Sequence, residues 1–191
     1  MHPLVVTIAN TGEVVAILLR EGNAGSNTAE DHRTVLRQAI AQIPARHRKN
    51  IIVRVDGAGA TKELLTWIGA QAAEHGYDWR YSVGFDVTEP VRAAIVKVPA
   101  TAWSAALTPE GKIRKGAHVA DLTGLLALAD GWSRQMKVVA RFEPLHPRHR
   151  KQASAIEKKR GQRFLAVAHN LPVTTTSATT SSTATTPASN R

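Results

Sequence analysis

The sequence predicts an α/β fold, with an α/β core followed by a block that is rich in β-strands. In the first half of the chain, short β-branched runs alternate with segments of helical periodicity, and mainly strand-like runs follow. The chain has 191 residues, of which 43% are apolar, so it is large enough to bury a core. We therefore expect a mixed sheet flanked by helices.

The N-terminal residues 2–20 predict two strands joined by a tight turn. Residues 3–8 and 13–19 are rich in β-branched and apolar side chains, and Gly12 lies in the polar break between them. The polar, glycine-rich stretch 20–27 that follows predicts a loop.

Apolar periodicity predicts two helices with a strand between them. The first helix covers 28–43, with Asn27 or Thr28 as its N-cap. The run 50–56 is almost continuously β-branched, which is typical of a strand buried on both faces. A second helix is predicted over 61–75.

The rest of the chain predicts one helix and several strands. Residues 79–83 alternate like a half-exposed strand, and 88–98 predict a helix with Pro90 in its first turn. Four further strands are predicted, at 103–106, 112–122, 137–142 and 163–168. Residues 173–191 contain eight Thr and four Ser, so we expect this tail to be disordered.

The composition narrows the classes of function. Lys and Arg number 25 against 15 acidic residues, a net charge of +10 that favours a polyanionic partner such as nucleic acid. Because the chain has no cysteine, disulfides, zinc–thiolate sites, iron–sulfur clusters and thiolate nucleophiles are excluded. No apolar run is long enough to span a bilayer and no signal peptide is recognisable, so we expect a cytoplasmic protein.

Asp56 is the strongest single signal for chemistry. It follows a predicted strand and precedes the small residues 57–60, a position at which open α/β sheets bind their ligands. A carboxylate there is a hard oxygen ligand that suits Mg²⁺ and two-metal phosphoryl transfer. The pattern is also compatible with an Asp that ends the strand or caps the next helix.

Three basic clusters are candidate contacts for nucleic acid, and they lie at 46–49, 146–151 and 158–160. Lys and Arg bind phosphates without regard to sequence. Taken singly, each cluster is also compatible with solvated surface charge. The candidate DNA-binding side chains are Arg46, Arg48, Lys49, Arg148, Arg150, Lys151, Lys158, Lys159 and Arg160.

Several short segments follow one another in an order typical of one family. They include GNAGSNTA at 22–29, VRVDGAG at 53–59, YSVGF at 81–85, TEPVRAA at 88–94 and PATAW at 99–103. In these segments the chain resembles the DDE transposases of bacterial insertion sequences, in the branch that carries a group 1 DDE transposase domain.

This resemblance, which covers roughly residues 2–172, implies a fold and a reaction. It implies an RNase H-like core in 1–98, a β-rich insertion in 99–160, a returning strand in 161–172 and the Thr/Ser-rich tail beyond. The implied reaction is cleavage of DNA at transposon ends and strand transfer, with three carboxylates that hold two Mg²⁺ ions. Asp56 matches the second carboxylate and is therefore the implied catalytic and metal-binding residue.

The resemblance leaves the other two carboxylates without a match. In the family, the first lies on a strand that precedes the segment beginning at His2, and the third lies on a helix beyond the last strand. We therefore expect an incomplete fragment that is inactive alone and has DNA, itself or a full-length transposase as partners. The alternatives are a non-catalytic basic DNA-binding module and a product without function.

Overall fold

The computed structural model describes residues 3–20, 29–56, 60–126 and 132–172. Most of the predicted loop at 20–27, both candidate N-cap residues of the first helix and the predicted disordered tail lie outside the described residues. The chain forms two compact units, one of Met1–Val83 with Asp130–Arg134 and one of Gly84–Ala129 with Gln135–Arg191.

The first unit begins with the predicted hairpin. Strands β1 (Leu4–Thr7) and β2 (Val14–Leu18) pair antiparallel, with Val5 opposite Ile17. Gly12 adopts φ +77° in the connection, a conformation that a side chain would strain. The hairpin prediction is confirmed.

Two helices supply much of the core of this unit. Helix α1 (Ala29–Gln42) packs against β1, β2 and helix α2 (Lys62–His75), and it buries Val35 and Ala39. Helix α2 begins where Thr61 Oγ1 accepts the Leu64 N–H at 3.2 Å, and it ends at Gly76. Both helices are confirmed within one residue or two of the predicted ends.

Strands β3 (Asn50–Val55) and β4 (Asp78–Phe85) form a parallel pair, with Val53 opposite Tyr81. The prediction that β3 is buried on both faces is wrong. Burial alternates along the strand: Val53 is inside, whereas the Ile52 side chain is 57% exposed. Isoleucine favours a strand on either face, so a continuous apolar run does not reveal which face is covered.

Strand β4, in contrast, is more buried than the sequence predicts. Trp79, Tyr81, Ser82 and Val83 are all buried, so the strand is not half-exposed. The polar residues in the run produce an alternating pattern, although Ser82 lies inside with the apolar side chains. Burial raises the pKa of Tyr81 to about 12.

The second unit contains one predicted helix and four predicted strands. Helix α3 (Glu89–Lys97) starts with Pro90 in its first turn and buries Val91, Ala94 and Ile95. The strands are β5 (Ser104–Leu107), β6 (Ile113–Asp121), β7 (Lys137–Pro144) and β8 (Gln162–His169). Each pairs antiparallel with the next. Parallel and antiparallel pairing both occur in the chain, so the mixed α/β class is confirmed.

Strand β6 contains a glycine at a position that does not accommodate a side chain. Gly116 adopts φ +72°, and a Cβ built on it would lie 2.9 Å from Pro144 Cγ at the end of β7. Any side chain here would therefore meet both backbone strain and a clash with the proline ring.

Among the α-helices of the described residues, one was not predicted. Helix α4 (Ala155–Arg160) lies between β7 and β8 and packs against β8. The pattern S-x-x-E at Ser154 to Glu157, followed by Gly161, is the usual signature of a capped helix. Six residues are too few to show an apolar periodicity, so periodicity does not reveal this helix.

Candidate nucleic-acid interface

Asp56 lies directly after the carboxyl end of β3, and its side chain is exposed. Its predicted place at a strand end is confirmed. Within the described ranges, no three His, Asp or Glu side chains gather closely enough to hold a metal ion. Mg²⁺ requires near-octahedral coordination by oxygens, which one carboxylate does not provide. The roles of Asp56 in catalysis and in metal binding therefore stay predictions.

The first basic cluster connects α1 to β3, and one of its side chains has a structural use. Arg48 Nε donates to the Ile43 carbonyl at 2.6 Å, and Arg48 Nη2 donates to the Ala41 carbonyl at 3.0 Å. These bonds satisfy carbonyls at the end of α1. The Arg46 and Lys49 side chains are exposed and remain candidate DNA contacts.

The other two basic clusters lie in the same segment. We name residues 145–161, which join β7 to β8, the basic connection; it holds a short 3-10 helix (Pro147–His149) and α4. All six predicted cations in it are exposed: Arg148, Arg150, Lys151, Lys158, Lys159 and Arg160. Two basic clusters that are separate in the sequence thus belong to one exposed connection between strands.

A capping box holds the middle of the basic connection in place. Ser154 Oγ accepts the Glu157 N–H at 3.4 Å, and the Glu157 carboxylate accepts the Ser154 N–H at 2.8 Å. Glu157 also accepts the Phe164 N–H of β8 at 2.9 Å. One inward carboxylate therefore ties the start of α4 to the sheet.

The same hydrogen bonds set the protonation state of Glu157. Partial burial raises its pKa, but the N–H groups of Phe164 and Ser154 and the Ser154 hydroxyl outweigh that effect. The pKa of Glu157 is therefore held below its usual value.

The two ends of the basic connection also meet, because the Leu145 N–H donates to the Gly161 carbonyl at 2.9 Å.

His149 lies between Arg148 of the basic connection and Arg163 of β8. Its Nε2 is 3.2 Å from Arg148 Nε and 3.3 Å from Arg163 Nη1. Desolvation and the positive charges of Arg163, Arg148 and His146 lower the pKa of His149. A neutral ring accepts these N–H groups, whereas a protonated ring would repel both guanidinium groups.

Beside the connection lies a cluster of charges that we name the arginine cluster: Arg114, Arg141, Glu143 and Arg163. Glu143 Oε2 is 2.9 Å from Arg114 Nη2 and 3.6 Å from Arg141 Nη2. Arg163 is the register partner of Glu143 on the neighbouring strand β8. Three guanidinium groups therefore share the surroundings of one carboxylate.

The arginine cluster was not predicted from the sequence as a candidate site. Its members come from three strands, and between Arg141 and Glu143 only the spacing of two indicates a shared face. Pairing of β6, β7 and β8 brings the others alongside, and this register is not visible in the sequence.

Comparison with known families gives a match that covers most of the chain. The family model for the transposase DDE domain, group 1, matches residues 1–153 of the chain. No curated protein and no solved structure matches. No helix in the described part of the chain is long and apolar enough to cross a membrane.

Proposed function

The chain belongs to the group 1 transposase DDE domain family, and we propose that it is an insertion-sequence transposase protein that binds DNA through the basic connection without a complete catalytic centre. Membership of a transposase family implies binding to DNA.

The charge of the basic connection is the observation that supports its assignment as the DNA-binding surface. Residues 145–161 contain six Lys or Arg and one acidic residue, a net charge of +5 out of +10 for the chain. The single acidic residue, Glu157, accepts hydrogen bonds from the protein backbone. The outward charge of the connection is therefore positive throughout.

The kind of residue in this connection favours contact with the DNA backbone rather than with bases. Exposed Lys and Arg bind phosphates, and each phosphate they neutralise releases counterions. The connection carries no aromatic side chain other than its histidines, so base stacking is not its mode of binding. We expect affinity that depends steeply on salt and weakly on sequence.

Replacing Arg150 and Lys151 together by Gln tests this surface, because both side chains are exposed and neither takes part in the His149 contacts. If each contacts one phosphate, the slope of log K against log salt should fall by about two. Fluorescence anisotropy with a labelled DNA duplex at several salt concentrations measures that slope.

A matched double variant, Lys97→Gln with Lys112→Gln, removes the same charge from exposed positions elsewhere in the second unit. It should leave the salt slope close to that of the wild type. Equal loss in the two double variants would mean that net charge alone attracts DNA, and the proposal that the basic connection is the contact surface would fail.

We propose that the catalytic centre is incomplete because, in the described part of the chain, too few acidic side chains lie close enough together to bind the metal. DDE transposases typically use a divalent metal, and the described residues contain no group of three metal-ligating side chains. We expect no nicking or joining of a duplex with transposon ends when Mg²⁺ is added to the purified chain. Mg²⁺-dependent nicking that Asp56→Ala abolishes would show instead that Asp56 belongs to a working centre.

A second candidate function is that of a DNA-binding module with no part in the reaction. The exposed basic connection is equally compatible with it. The two candidates differ in what happens when a full-length transposase of the same family is added. A transposase partner should alter the rate or the product of strand transfer, whereas a separate module should only compete for DNA.

We propose an RNase H-like core in 1–98 and a β-rich insertion in 99–160, which the antiparallel strands β5 to β7 support.

We also propose association with a second transposase chain through the first unit. Exposed apolar side chains on β1, β2 and β3 support it: Val5, Val14, Ile17 and Ile52. Sedimentation velocity at increasing protein concentration would measure this association.

A further inference from the structure

The arginine cluster carries more positive charge than its own carboxylate neutralises. Arg114, Arg141 and Arg163 contribute three positive charges and Glu143 one negative charge, which leaves two positive charges. The ion pairs of Glu143 with Arg114 and Arg141 use the same oxygen, Oε2. The carboxylate thus holds two guanidinium groups side by side.

The inner part of the cluster, Arg141 with Glu143, lies largely out of water. The Arg141 side chain is only 9% exposed and that of Glu143 only 18%. Desolvation lowers the pKa of Arg141, the Glu143 charge raises it, and Arg114 and Arg163 lower it again. Like charges gathered in a poorly hydrated place cost free energy, and an additional anion would offset that cost.

The cluster is open to an anion on its outer side. The Arg114 side chain is 36% exposed, and within the described ranges its hydrogen bonds go to Glu143. A guanidinium group carries five N–H donors in a planar fork, so Arg114 retains donors for a second acceptor. Arg163 is half-buried and touches His149, so the cluster continues directly into the basic connection.

We propose that the arginine cluster is a phosphate-binding site that holds one phosphodiester of DNA at Arg114 and Arg163, with Arg141 behind them. Guanidinium forks match the oxygens of a phosphate, and the bond is charge-assisted. Glu143 acts as a positioning residue, because its carboxylate contacts both Arg114 and Arg141. This inference rests on the proposed function, because it assigns a fixed anchor to the DNA that the basic connection attracts.

The first test uses inorganic phosphate and does not depend on DNA binding. Low-millimolar phosphate, compared with chloride at equal ionic strength, should raise the melting temperature of the wild type by about 2–4 °C. Arg114→Gln should lose this rise. Lys115→Gln, which removes the same charge from the exposed neighbouring position on β6, should keep it.

The second test uses the DNA duplex. Arg114→Gln should lower the salt slope of DNA binding by about one, beyond any change in Lys115→Gln. No phosphate-dependent rise in the wild type, or an equal rise in both variants, would mean that the cluster is a structural ion network only. An unchanged DNA slope in Arg114→Gln would overturn the assignment to a phosphodiester, and the site would then bind free phosphate alone.

The two tests separate this inference from the proposed function. If Arg150→Gln with Lys151→Gln weakens DNA binding and Arg114→Gln does not, the basic connection stands and the inner anchor fails. If the wild type binds no DNA, the proposed function and the phosphodiester assignment both fail, and the melting shift still decides whether the cluster binds phosphate.

Discussion

At the scale of single residues, the stability of the second unit depends on how charges are paired inside it. Glu143 neutralises Arg141 in a place where both side chains are largely buried. Its counterpart at the surface is the pair of Glu89 with Arg92, at 3.0 Å, in which the Glu89 side chain is 83% exposed. The two pairs allow buried and exposed ion pairing to be compared in one protein.

Glu143→Gln should destabilise the protein by about 3 kcal/mol, because it leaves the buried Arg141 and its neighbouring guanidinium groups without a neutralising charge. Glu89→Gln should cost less than about 1 kcal/mol, because water and salt already screen that pair. Urea denaturation of both variants measures the difference. Similar losses in the two would show that Glu143 is not a buried counter-charge.

At the scale of elements, short helix α4 shows how a few side chains fix a functional surface. It has only six residues, too short for a stable isolated helix, so it depends on its cap and on its packing against β8. Its last three residues are candidate DNA contacts: Lys158, Lys159 and Arg160. Loss of the cap should therefore affect binding as well as stability.

Ser154→Ala should destabilise the protein by about 1 kcal/mol through loss of the helix cap. We also expect it to lower DNA affinity by about twofold to fivefold, because part of that free energy is then needed to order α4 on binding. Urea denaturation and anisotropy measure the two effects.

The matched control is Thr61→Ala, which removes the N-cap of α2 in the first unit, where Thr61 Oγ1 accepts the Leu64 N–H. It should show a similar loss of stability with unchanged DNA affinity. If both variants bind DNA like the wild type, the order of α4 does not contribute to binding.

At the scale of the whole chain, the pH dependence of folding combines several charges. Desolvation and Lys137 lower the pKa of buried His169, and the charge of Asp121 opposes them. The Nδ1 of His169 accepts the Leu171 N–H at 3.2 Å, which requires a neutral nitrogen there. The pKa of His149 is lowered as well, by desolvation and by neighbouring cations.

The sign of the pH effect follows from these lowered values. An unfolded histidine has a pKa of about 6.5, so between that pH and the lower pKa of the folded state the folded protein binds fewer protons than the unfolded chain. The free energy of unfolding should therefore be fully retained above pH 6.5 or so and decrease as the pH falls through the folded values. Urea midpoints between neutral and mildly acidic pH measure it, and His169→Gln should flatten the curve.

The sequence predicted the elements better than their environment. β-Branched runs and helical periodicity are local properties, so the hairpin, the first three helices and all the later strands were found. The predicted burial of β3 and β4 was wrong, because burial depends on which other elements cover each face of a strand. The basic clusters were also visible, since charge is read directly from composition.

What the sequence alone determined is the class of the protein: a mixed α/β chain, basic, without cysteine, and similar to DDE transposases in its short motifs. Only the tertiary structure decided which charges act together. It joined two basic clusters in one connection and brought Arg114, Arg141 and Arg163 around Glu143. The reason is physical: Coulomb interactions depend on distance in space, and strand pairing brings together residues that are far apart along the chain.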